Sequence, residues 1–129
     1  MATLKISDLS VGDWVQDMDG NYGKVECIWQ GYNFNYQVDL NRDGVIGSIL
    51  PCNIHPIPIT AEMLVKNGFE RLLERDLFYH SESGLEVAFE DGEWMHTINL
   101  HEYTIHTISG VHHIQHLLRL YGCDKEINL

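Results

Sequence analysis

The sequence predicts an α+β fold, and three local patterns carry that expectation. Residues 32–40 alternate strictly between apolar and polar side chains, as a strand with one buried face does. Asp91-Gly92 lies between two further alternating runs and supplies the turn chemistry of a tight hairpin. Residues 110–121 place their apolar side chains at helical spacing instead. With 129 residues, 44% of them hydrophobic, the chain has material for a core without disulfide or metal staples.

The N-terminal elements follow from the same periodicities. Val11-Gly-Asp-Trp14-Val15 opens a first strand, and Asp19-Gly20-Asn21 is a turn. Val25, Cys27 and Trp29 share one face of a second strand, with Cys27 packing as a small apolar residue. In the third, Tyr32, Phe34, Tyr36, Val38 and Leu40 lie on one face, and Asn33, Asn35, Gln37 and Asp39 on the other. A turn over 41–44 leads to a fourth, apolar strand at 45–50. Four short strands with tight turns predict a curled antiparallel sheet of SH3-like type. Residues 1–50 are thus expected as a β-rich sub-lobe of a single domain spanning 1–129. Pro56 and Pro58 make 51–59 an extended, unpaired connector.

Residues 60–129 are expected to form the α+β part. Thr60 is the N-cap of a short helix with Glu62 in its first turn. Ala61, Met63 and Leu64 face inward, and Gly68 stops the helix. Periodicity is weak over 69–80. A two-residue loop at Asp91-Gly92 opposes Phe89 to Trp94, Val87 to His96 and Leu85 to Ile98 on one face, and Ala88 to Met95 and Glu86 to Thr97 on the other. A further strand is expected at 103–107. The last helix is capped by Ser109 and stopped by Gly122. Val111, Ile114, Leu117, Leu118 and Tyr121 form its apolar stripe, while His112, His116 and Arg119 fall opposite. The tail, 123–129, adds an edge strand or frays.

Charge narrows the functional classes. Eight Lys and Arg against 19 Asp and Glu give −11, which argues against tracking a phosphate backbone and against a polybasic membrane surface. No window of 18 apolar residues and no N-terminal apolar core is present. Three cysteines without a Cys-x-x-Cys pair argue against a disulfide framework and fit reduced thiols in the cytoplasm.

Three constellations are candidate sites. His112 and His116, one helical turn apart, have the spacing of two zinc ligands, with His96, His101, His106 and Glu102 available upstream. His113 stands where a metalloprotease needs its Glu base, so that chemistry is excluded. Asp39, Asn41, Asp43 and Gly44 match the start of a calcium loop, but Leu50 occupies the position of its bidentate Glu; the alternative is a polar hairpin. Any calcium or zinc binding is expected to be weak, and no other cofactor is expected. Trp14, Tyr22, Trp29, Tyr32, Phe34 and Tyr36 could line an aromatic groove or fill a core. Nucleophile-elbow, phosphate-loop and dinucleotide motifs are absent.

Three segments carry a resemblance. Leu9-Ser-Val-Gly-Asp-Trp14-Val15, Pro56-Ile-Pro-Ile-Thr60 through Leu64 to Gly68-Phe69, and Val111-His-His-Ile-Gln-His-Leu-Leu-Arg-Leu-Tyr-Gly122 are similar to the patterns L-R-I-G-N-W-V, P-I-P-L-T through G-F, and V-H-Q-L-Q-H-A-L-R-L-C-G. These patterns belong to a group of small uncharacterised proteins of gut-bacterial and phage genomes. The resemblance carries no catalytic residues across. It implies a mobile-element accessory protein and singles out His112 and Gln115 as motif positions.

The expected function is therefore a non-enzymatic accessory protein that binds a host or phage protein through an acidic surface, as a monomer or a homo-oligomer. The contact candidates are His112, Gln115, His116, Arg119, Tyr32 and Tyr36. Nucleic acid and membrane are not expected partners. One alternative is an anti-defence protein that sequesters a nucleotide signal. The other is a metal-dependent enzyme using the C-terminal histidines.

Overall fold

Two antiparallel sheets, each with its own buried face, and two α-helices build the described part of the chain, as the α+β expectation requires. The computed structural model describes residues 4–31, 35–72, 76–97 and 105–129. The chain divides into two compact units, Met1–Ile57 and Pro58–Leu129.

The first unit is a meander of β1 (Trp14–Gln16), β2 (Tyr22–Gln30), β3 (Tyr36–Arg42) and β4 (Val45–Ile49), paired in that order. Val15, Val25, Val38 and Leu40 alternate onto its inner face and pack with Leu4, Leu9 and Ile54. Up to Ile57, the segment expected as an unpaired connector is part of this body. Ile54 and Ile57 are buried, and His55 bridges to Gln16 through two backbone hydrogen bonds of 3.0 and 2.9 Å. Two prolines kept it out of a strand but did not keep its isoleucines out of the core.

One irregularity changes which side chains this sheet presents. Val25 pairs with Leu40, but Cys27 already pairs with Asp39, so Glu26 is an extra residue and β2 is bulged there. The face parity flips at that point. Ile28 continues the inner face, and Cys27 and Trp29 are exposed, against the expectation that Val25, Cys27 and Trp29 share one side.

A carboxylate holds the open end of this sheet. Asp17 is buried and accepts from the Asp19 and Asn21 amides, both at 2.9 Å, from Asn21 Nδ2, and from Arg42 Nη1 at 2.9 Å. Arg42 reaches it across Gly23, where an added Cβ would come within 3.0 Å of the arginine's Cγ. Burial pushes the Asp17 carboxyl up in pKa. The donors from Asn21, Arg42 and Asp19 outweigh that push and hold it below its ordinary 3.8.

The second unit runs α1 (Ala61–Lys66), β5 (Phe69–Arg71), β6 (Leu77–His80), β7 (Leu85–Glu90), β8 (Glu93–Thr97), β9 (Ile105–Thr107) and α2 (Val111–Leu120), with the strands paired in chain order. Thr60 caps α1 as expected, accepting from the Met63 amide at 3.1 Å, and Met63 and Leu64 are its buried residues; Ala61 is exposed. Gly68 adopts φ +90° at the helix stop. The weakly patterned stretch after it forms β5 and β6, too short for a period to register. Asp91 and Gly92 both take positive φ, 50° and 79°, in a two-residue hairpin loop with Phe89 opposite Trp94, Ala88 opposite Met95 and Val87 opposite His96. Ile98, Tyr103 and Thr104, assigned to strand pairs from the sequence, lie outside the described residues.

α2 is capped by Gly110, not Ser109, whose hydroxyl stands 3.4 Å from His112 Nε2. The tail forms no regular strand and does not fray. Asn67 accepts from the Asn128 amide at 2.7 Å and donates to its carbonyl at 2.8 Å, while Ile127 and Cys123 are buried. Among the described residues, no helix is long and apolar enough to cross a membrane.

Asp17 makes the first unit's stability depend on acid. Its folded pKa lies below the unfolded one, so its contribution is complete above the ordinary carboxylate range and is lost as pH falls through the lowered value. Asp17→Asn is expected to cost about 2 kcal/mol at neutral pH, with the gap to wild type closing in acid. Urea unfolding across pH, followed by tryptophan fluorescence, checks both.

Candidate functional site

The C-terminal histidines do not form the exposed contact face that their spacing suggests. α2 buries His112, 2% exposed, and Gln115, 7% exposed, along with Val111, Ile114, Leu117 and Leu118. Burial extends beyond the apolar stripe over the first two turns, and a helical wheel, which identifies one apolar stripe, carries no signal for that. His113 and His116 are half-buried, and only Arg119 of the polar set is exposed. The His112 and His116 rings meet edge to face with centroids 5.8 Å apart. Among the described residues, no third His, Cys, Asp or Glu joins them within ligating range. His96 is a core residue, 4% exposed, with Nε2 3.1 Å from the Tyr121 hydroxyl. The side chains of His101, Glu102 and His106 lie outside the described residues.

The Asp39–Asn41–Asp43 set does not converge on a cation. Asp39 and Asn41 are in β3, and alternate residues of a strand stand roughly 6.5 Å apart along it. Asp39 Oδ1 accepts from Ser48 Oγ at 2.6 Å and Trp29 Nε1 at 3.1 Å. These two donors, Ser48 first, hold its pKa below 3.8. Asn41 Oδ1 caps the turn by accepting from the Gly44 amide at 2.8 Å. Asp43 and Gly44, at φ 53° and 85°, are a two-residue hairpin loop. The shared sequence signal was turn chemistry, and the calcium expectation is withdrawn.

What the first unit does assemble is an aromatic and apolar outer face. Trp14, Tyr22 and Lys24 alternate outward from β1 and β2, with the Lys24 ammonium 5.6 Å from the Trp14 ring centroid. Past the bulge Trp29 faces out, its indole tethered to Asp39. Ile46, opposite Asn41, extends the surface at 59% exposure. Tyr36, a predicted contact residue, is exposed at the end of β3, whereas Tyr32 and Phe34 lie outside the described residues. Beside this face, Trp14, Gln16, Asn21, Tyr22, Arg42, Asp43 and Val45 line a groove of about 710 Å³. Its setting is acidic: residues 1–57 hold seven Asp and Glu against three Lys and Arg.

Val45 and Ile46 were missed as surface residues, and a signal for them existed. Neighbouring residues of a strand point to opposite faces, so two adjacent apolar residues cannot both be core. The exposure of Trp29 had no such signal, because the bulge at Glu26 breaks no propensity rule.

Compared with protein-family models, curated proteins and solved structures, the chain matches none.

The burial of α2 predicts different fates for its polar residues. His112→Ala is expected to cost about 3 kcal/mol through the cavity it leaves. Arg119→Ala, on the exposed end, is expected to change stability by less than about 0.5 kcal/mol. Chemical denaturation of the two variants separates these outcomes.

Proposed function

We propose that the chain is a non-enzymatic binding protein that engages a host or phage protein partner, through a basic patch, on the outer face of its first sheet. The observation that carries this reading is Trp29, a large aromatic 41% exposed on a paired strand and fixed there by Asp39. Aromatic rings at exposed positions of a rigid element are typical anchors of interfaces, because little side-chain freedom remains to be lost. Tyr22 and Ile46 widen the apolar contact.

Charge sets the partner's chemistry. Glu26, Asp39 and Asp43 lie on or beside this face. A Lys or Arg side chain arriving there meets both carboxylates and the faces of aromatic rings. Long-range attraction from a chain of net charge −11 adds to the association rate. The resemblance to accessory proteins of mobile elements agrees with a host protein as the target. This reading assigns the protein to the cytoplasm and treats the first unit as an SH3-like binding module. The nucleotide-sequestering alternative has less support. Among the described residues Arg42 is the one cation lining the groove, and it is already paired with buried Asp17.

Capture from gut-bacterial lysate at low salt, run in parallel with Trp29→Ala, tests the reading. Wild type is expected to retain a Lys- and Arg-rich protein that raised salt releases and that Trp29→Ala binds about tenfold more weakly or worse. Binding indifferent to both salt and Trp29, or no capture at all, would overturn it.

A further inference from the structure

The second unit holds a cluster that neither its core nor the proposed binding face accounts for. His80 ends β6, Glu82 sits in the turn that follows, and Cys123 comes just after α2. The ligand atoms of the three lie within 4.8 Å of one another. His80 and Cys123 are buried and Glu82 is exposed. All three line a cleft of about 570 Å³ that Gly68 and Lys125 also border. We propose that His80, Glu82 and Cys123 form a three-ligand zinc site whose fourth position opens to this cleft.

The donor set selects the metal. One sulfur, one imidazole nitrogen and one carboxylate oxygen suit zinc, whereas calcium and magnesium take oxygen ligands alone. Ligand atoms around tetrahedral zinc are roughly 3.5 Å apart, so the cluster must contract by about 1 Å. Much of that adjustment falls to Glu82, whose side chain is exposed and held only by a surface ion pair.

His80 is held in one ring position by its neighbours. Its Nδ1 is 2.7 Å from Ser83 Oγ, and its ring packs against Phe69 with centroids 4.9 Å apart. The turn carrying these residues is closed by a 2.7 Å bond from the Gly84 amide to the His80 carbonyl. The Ser83 amide donates to Nδ1 at 3.2 Å, so the neutral ring holds its proton on Nε2; zinc at Nε2 takes the other tautomer, with Nδ1–H turned to donate to the serine hydroxyl. Nε2 lies against Gly68, where an added Cβ would approach it to 3.4 Å, so the backbone there leaves the nitrogen uncovered by a side chain.

Lys125 occupies the position of a competing cation. Its Nζ is 2.9 Å from Glu82 Oε2, with both side chains more than half exposed. Such surface pairs are weak, so zinc displaces the ammonium at little cost. Binding also expels the Cys123 thiol proton to solvent, one per zinc.

Cobalt(II) titration of the full chain carrying Cys27→Ser and Cys52→Ser, which removes the two exposed thiols, tests the site. One equivalent is expected to produce a thiolate-to-cobalt charge-transfer band, and zinc should abolish it by displacement. His80→Gln and Glu82→Gln should each weaken cobalt binding at least about tenfold, and Lys125→Met should tighten it about threefold. Glu82 is exposed, so its variant remains informative if His80→Gln fails to fold. Absence of the band, or a band indifferent to Glu82→Gln, would overturn the proposal.

Discussion

The buried carboxylate of Asp17 is the interaction on which the first unit's working end depends. It closes its own turn through the Asp19 and Asn21 amides and draws Arg42 across Gly23 from the far side of the sheet. Without that pull, an arginine stem would have no reason to lie over a glycine in mid-strand. With it, Arg42, Asn21 and Tyr22 stand as fixed walls of the groove beside the aromatic face. An internal ion pair of this kind is weak evidence for stability, since desolvation offsets most of its attraction. Its clearer effect is on geometry: it gives the turn and the strand end one arrangement.

The elements most legible in the sequence were those whose signal is local. Both Asp-Gly hairpins fell where turn chemistry put them, and the β7–β8 register followed from the loop length alone. Thr60 and Gly68 marked the ends of α1 because a cap and a stop are each properties of a few residues. What escaped was set by distant parts of the chain. β5 and β6 are three and four residues long, and they exist because each finds a neighbour to pair with. α2 looked amphipathic, yet the unit buries His112 and Gln115 as well as the apolar stripe. The cluster of His80, Glu82 and Cys123 joins residues from a strand end, a turn and the tail, and no spacing in the sequence announces it.

The histidine excess resolves into separate environments. His96 is held in the core by the Tyr121 hydroxyl, and His80 is packed on Phe69 and oriented by Ser83. His112 is enclosed within α2, beside the hydroxyl of Ser109. Eight histidines in a chain of 129 residues could suggest one shared site. Imidazole, however, is also a compact polar ring that can be buried once a partner for its nitrogens is supplied, and here a tyrosine and two serines stand within reach.

The bulge at Glu26 has a consequence for how this surface could change over time. Side-chain direction in a strand has a period of two, so one inserted residue acts as a parity switch for everything beyond it. Removing Glu26 would restore uniform alternation with Val25 and Ile28 still inward and Trp29 still outward, because the residues on either side of it already oppose adjacent residues of β3. A residue gained or lost without a bulge to absorb it would instead reverse every side chain beyond it, a larger step than any point substitution on the same strand can make.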